Sequence, residues 1–164
     1  VMDQGRADML PPLNNSRHQE FAQALNLDTD DLHPELPMQV ISTGLPYLVV
    51  PLARGLDQCL IMAHDFEEML AKVGASFAYI VDVERMEGRT WDNAGISEDV
   101  ATGSAAGPVG AYLVHHGRAQ TGETLTLNQG GYVGRPSRIS VTPSENGHVL
   151  VAGDVHIIAR GSFV

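Results

Sequence analysis

The run Ser97-Glu98-Asp99-Val100-Ala101-Thr102-Gly103-Ser104-Ala105-Ala106 concentrates the chemistry of this chain. Two adjacent carboxylates lead into a turn, a glycine, a hydroxyl and a run of alanines. That order describes a helix start with an acid beside it. The first N–H groups of a helix lack internal partners and carry partial positive charge, so they hold anions. Asp99 or Thr102 is placed to cap the helix, Gly103 lets a ligand approach the backbone, and Ser104 adds a hydroxyl donor. A carboxylate next to an anion-binding helix end suits proton transfer. The same residues also spell an ordinary capped helix, and on them alone both readings stand.

The elements that must position this run read as α+β. Ser16-Arg17-His18-Gln19 has the form of a capping box, followed by an apolar stripe of Phe21, Ala22, Leu25 and Leu27. An acidic connector, Asp28 to Pro37, leads to strands at Met38–Ser42 and Pro46–Leu52 separated by a Thr43-Gly44 turn, with a third at Gln58–Met62. Asp65 to Glu68 opens a second helix with Phe66, Met69, Leu70 and Val73 on one face, and Gly74 ends it. Ser76–Val83 is strongly β-prone, and Met86–Trp91 pairs with it. The third helix, Gly103 to His115, carries no charge before Arg118 and is small or apolar all round, which predicts a buried helix. Pro108 inside it removes one hydrogen bond, so the helix is expected to bend or start later. Strands at Glu123–Asn128, Tyr132–Val141, Gly147–Ala152 and Val155–Arg160 are predicted to wrap it, the last three as a meander. Asn146-Gly147 is read as a type I′ hairpin turn. The expected architecture is a sheet enclosing a central small-residue helix.

Twenty acidic residues against ten basic ones give a formal charge of −10, which argues against nucleic acid or an anionic membrane as partner. Half of the excess lies in residues 1–37, where seven acids face only Arg6 and Arg17. The single cysteine, Cys59, precludes an internal disulfide and suits the cytoplasm. It sits in an apolar pattern and reads as a buried structural thiol. No apolar run approaches the roughly 18 residues of a membrane-spanning helix. The length suits one domain, able to bury about 70% of its unfolded surface.

Longer stretches carry a resemblance. The Ser97–Ala106 run, then Gln129-Gly130-Gly131-Tyr132-Val133-Gly134-Arg135-Pro136, and upstream Ser42-Thr43-Gly44-Leu45-Pro46 with its following strand, occur in the order seen in the phenazine-biosynthesis-like (PhzF-like) isomerases. The hallmark of that family is E-D-P-A-T-G-S-A, later followed by Q-G-x-x-x-G-R-P; Val100 stands where it usually has proline. The resemblance implies half of a diaminopimelate-epimerase-like fold, each half a β-barrel-like roll around one central small-residue helix, with residues 1–164 as the C-terminal half and Val1 to Gln4 as the strand crossing from the first.

It further implies an isomerase or epimerase that needs no cofactor and acts on a small carboxylate-bearing metabolite. Asp99 would orient the reacting molecule, Gly103 and Ser104 would bind its carboxylate, and Gly130 would lie close to it. Glu98 braces the loop. The family's acid/base glutamate belongs to the other half and matches no residue here. On that basis the isolated chain would be inactive, and its expected partner is that half or a second copy of itself. Related epimerases use paired thiols at two helix ends; with Ser104 in place of one, single-acid proton shuttling is favoured.

Other constellations carry less. The glycines of 129–136 lack the lysine and Ser/Thr of a phosphate loop, and no helix pattern follows them. His115-His116 ends the third helix, where the dipole favours cationic imidazoles. The seven histidines share no metal-ligand spacing, so no metal site is assigned. Ser104 lacks the G-x-S-x-G elbow of a serine hydrolase.

Overall fold

A computed structural model describes residues 1–162. Its centre is one mixed nine-stranded sheet: β1 (Met2–Arg6), β2 (Asp8–Met9), β3 (Gln39–Ser42), β4 (Pro46–Leu52), β5 (Phe77–Asp82), β6 (Glu87–Arg89), β7 (Leu125–Gln129), β8 (Ser137–Pro143) and β9 (His148–Ala152). The strands lie in the order β1-β9-β8-β7-β6-β5-β4-β3-β2. β1 and β2 occupy opposite edges yet are separated in sequence by Ala7 alone. One extended segment therefore pairs with β9 at its start and with β3 at its end, leaving the roll nearly closed. Only β4–β5 and β6–β7 are parallel pairs.

Inside the roll runs α3 (Gly103–His115), packed against β3, β4, β8 and β9. Its slender body fits a confined space. A Cβ at Gly110 would collide with Val141, and one at Gly107 with the Gln4 side chain. Tyr112 is fully buried and donates from its hydroxyl to Pro37 O at 2.8 Å. α1 (Asn15–Ala24) and α2 (Phe66–Lys72) pack on the other face of the sheet. Strand periodicity divides the two cores: Tyr47 and Val49 face α3, while Leu48, Val50 and Leu52 face α1 and α2. β4 thus reads as a continuous apolar run because both of its faces are buried. β8 and β9 have one wet face, and their buried positions alternate.

Several expectations are corrected. The first helix is capped by Asn14, whose side chain accepts from Arg17 N at 3.1 Å, and not by a Ser16–Gln19 box. Gln58–Met62 forms no strand: Leu60 N and Met62 N donate to Leu25 O and Ala24 O, docking the segment on the end of α1. Cys59 is nonetheless buried, and burial pushes its thiol up to about 12. Residues 131–133 form a 3-10 turn, so β8 starts later than expected. Asn146 does not take a positive φ; the hairpin is a Ser144–Gly147 turn with only Gly147 left-handed, so it is not type I′. Val155–Arg160 pairs with no strand; β1 fills the place beside β9. Pro108 sits within an unbroken α3. His116 is held below the ordinary imidazole range by burial and then by His115, against the cationic expectation.

The Cys59 shift predicts a pH effect of defined sign. A buried thiol that keeps its proton up to about 12, against 9.0 when unperturbed, makes the unfolded state release a proton first. Its contribution to stability is therefore complete below about pH 9 and is lost progressively as pH rises toward 12. At pH 8 a thiol-disulfide reagent should leave the native protein unmodified and label it fully in denaturant; prompt native labelling would contradict the burial.

Among the described residues, no helix is long and apolar enough to cross a membrane.

Candidate functional site

The α3 N-terminus is an uncapped helix end. Thr102 occupies the cap position, but no side chain caps the helix, so Asp99 and Thr102 both fail as the predicted cap. The Thr102 hydroxyl turns instead to Asp99, donating to its Oδ2 at 2.7 Å. Ser104 is exposed at the first turn, its Oγ 2.8 Å from the Tyr47 hydroxyl. Burial raises the Tyr47 pKa, the Ser104 hydrogen bond opposes this, and the Asp99 charge adds to it. A Cβ at Gly103 would meet nothing, so the backbone there is open to approach.

The loop before the helix is held from below. Asp99 N donates to Thr90 O at 3.0 Å, and Ser137 Oγ donates to Val100 O at 2.6 Å. Glu98 forms a two-point ion pair with Arg89, at 3.0 and 2.7 Å, with both side chains only 6% exposed. Arg89 also donates to Leu56 O and Cys59 O and lies over the rings of Trp91 and Tyr132. Glu98 thus braces the loop.

Gly130 has a backbone reason for being glycine. Its φ is +79°, and a Cβ would strike the carbonyl oxygens of Arg135 and Val100. It packs the glycine-rich turn directly against the Asp99–Thr102 segment.

Gln129 is the residue that sequence reasoning missed. It is buried, and its Oε1 accepts from Thr102 N at 3.1 Å and from the Tyr79 hydroxyl at 3.0 Å. Its Nε2 donates to Asp99 O at 2.8 Å and Thr102 Oγ1 at 2.9 Å. Its place beside the glycines was the available signal. Tyr79 is in turn locked by Gly88, where any Cβ would enter its ring. Gly88→Ala should therefore cost about 1–3 kcal/mol in chemical denaturation; an unchanged midpoint would mean that the ring is free to move.

Asp99 and Ser104 are both exposed. Gly103 borders a shallow cavity of about 520 Å³ with Val1, Met2, Ala101, Ile139 and Val155. Large apolar side chains are exposed at this end, Met2 and Val155 among them. The arrangement is a helix N-terminus without a side-chain cap, with a held carboxylate and a hydroxyl beside it on an exposed face.

A barrel-like roll threaded by a small-residue helix, with polar groups gathered at the helix tip, is the class of protein that fold and site define. Residues 9–161 match the family model described as phenazine biosynthesis-like protein, and the chain belongs to that family. It is 34% identical over 152 residues to the uncharacterized isomerase YddE of Escherichia coli, covering 86% of this chain and 51% of that protein. A trans-2,3-dihydro-3-hydroxyanthranilate isomerase of Pseudomonas chlororaphis is 38% identical over 74 residues, 43% of this chain and 27% of that protein. Among solved structures, a Pseudomonas aeruginosa protein described as a predicted epimerase superposes with a TM-score of 0.91 at 46% identity, over 99% of this chain and 57% of that one. The chain spans about half the length of the curated relatives it matches, such as YddE.

Proposed function

We propose that this chain is the C-terminal half of a cofactor-independent isomerase of the phenazine-biosynthesis-like family, in a diaminopimelate-epimerase-like fold. The observation that carries this reading is the uncapped tip of α3, open to solvent, with Asp99 and Ser104 beside it. An N-terminal half, on the same polypeptide or a separate one, covers the tip and supplies the acid/base glutamate. That agrees with relatives of about twice this length, named as isomerases.

In the assembled site the substrate is a small carboxylate-bearing metabolite. Its carboxylate lies on the Gly103 and Ser104 N–H groups and the Ser104 hydroxyl, which stabilise charge developing on oxygen. The glutamate removes a carbon-bound proton and returns it at another carbon. Asp99 orients the molecule by accepting a hydrogen bond from it, and Gly130 keeps the neighbouring loop close to the pocket.

A second reading has its own observation. Val155, Ile157 and Ile158 are 85%, 72% and 96% exposed, an apolar segment suited to assembly, so the chain alone would be a self-associating, non-catalytic module. Native mass spectrometry of the protein from its source separates the two. A glutamate-bearing N-terminal half in the same assembly supports the isomerase; a homo-oligomer of this chain alone contradicts it and favours the module.

A further inference from the structure

The donor and acceptor logic around Gln129 fixes more than the loop's shape. A side-chain amide can be turned either way, but here two backbone groups decide. Thr102 N–H can only donate, so it must face Oε1, and the Asp99 carbonyl can only accept, so it must face Nε2. The second Nε2 proton then falls on Thr102 Oγ1. That hydroxyl is buried and already accepting, and the acceptor for its single proton is Asp99 Oδ2 at 2.7 Å. Tyr79 closes the far end by donating its proton to Gln129 Oε1. Each proton in the chain has one direction, and the chain ends on one oxygen of Asp99. Oδ1 has no protein partner among the described residues.

We propose that Gln129 and Thr102 are positioning residues that make Asp99 a one-oxygen acceptor, holding Oδ2 so that Oδ1 alone meets the substrate. This rests on the isomerase reading and deepens it by stating which oxygen works and what aims it. Gln129 is 2% exposed and Thr102 8%, so water does not substitute for either within the fold. Neither residue touches the substrate; both act through Asp99.

The test needs no substrate, so its failure is separable from failure of the isomerase assignment, which turnover and assembly decide. In labelled wild-type protein, the Hα–Hβ couplings of Asp99 should report a single χ1 rotamer, and the two Gln129 side-chain amide protons should exchange slowly. Thr102→Val, nearly isosteric, should average the Asp99 couplings and shift one Gln129 amide proton, while Thr102→Ser restores both signatures. A purely space-filling role for Thr102 predicts the reverse, with valine silent and serine disruptive. Averaged Asp99 couplings in the wild-type protein would overturn the proposal even if the valine variant failed to fold. So would an Asp99 rotamer unchanged in folded Thr102→Val.

Discussion

Arg89→Met is expected to lower the unfolding free energy by about 3–5 kcal/mol, because it strands a buried carboxylate. Glu98 would lose both guanidinium contacts, in a site where its side chain is 6% exposed. The carbonyls of Leu56 and Cys59 would lose their donor as well, loosening the segment docked on α1. Stacking of the guanidinium over Trp91 and Tyr132 adds about 0.5–2 kcal/mol of its own. Methionine replaces the aliphatic stem but none of the hydrogen bonds. Urea unfolding would read the effect; a loss below about 1 kcal/mol would show that the pair contributes little beyond a hydrophobic filling. The double variant Arg89→Met, Glu98→Gln should recover part of the loss, since the uncompensated charge goes with the acid.

The second large effect falls on turnover. If the proposed isomerase reading holds, Asp99→Ala should reduce kcat of the assembled protein by about 10²-fold, the scale of losing a group that orients the substrate. Ser104→Ala should reduce it by about 10²–10³, as for removing one donor to a developing oxyanion. Ser104 is exposed, so its stability cost should stay within about 0.5 kcal/mol, whereas Asp99→Ala leaves the buried Thr102 hydroxyl without its acceptor and should cost about 1–3 kcal/mol. The contrast of Arg89 with Ser104 is the informative part: the ion pair holds the loop, and the exposed hydroxyl is expected to matter for turnover alone. Equal turnover in wild type and both variants would remove these residues from the site.

What the sequence revealed and what it hid divide along one physical line. α3 was legible at both ends because its character is local: a glycine start, small residues throughout and no charge before Arg118. β4 and β5 were legible for the same reason, as apolar runs bounded by turn residues. Gln129 was not, because its partners lie 27 and 30 positions away and glutamine has no pattern that announces a buried hub. Residues 58–62 alternate like a strand, yet their backbone groups find better partners on the C-terminal end of α1. Val155–Arg160 has strand composition, but β1 already occupies the edge of β9. Local propensity was overruled wherever a distant backbone group offered the missing hydrogen bond. At the candidate site, Asp99, Gly103 and Ser104 stand out by residue type, while the hydrogen bonds that tie Gln129 and Thr102 to Asp99 do not.

The most direct measurement is an amide-resolved NMR titration of the assembled protein with benzoate, a small probe carrying the carboxylate that the proposed site would hold. Saturable shifts largest at the Gly103 and Ser104 amides, and lost in Ser104→Ala, are the predicted result. Saturable shifts centred elsewhere, with those two amides unmoved, would contradict it.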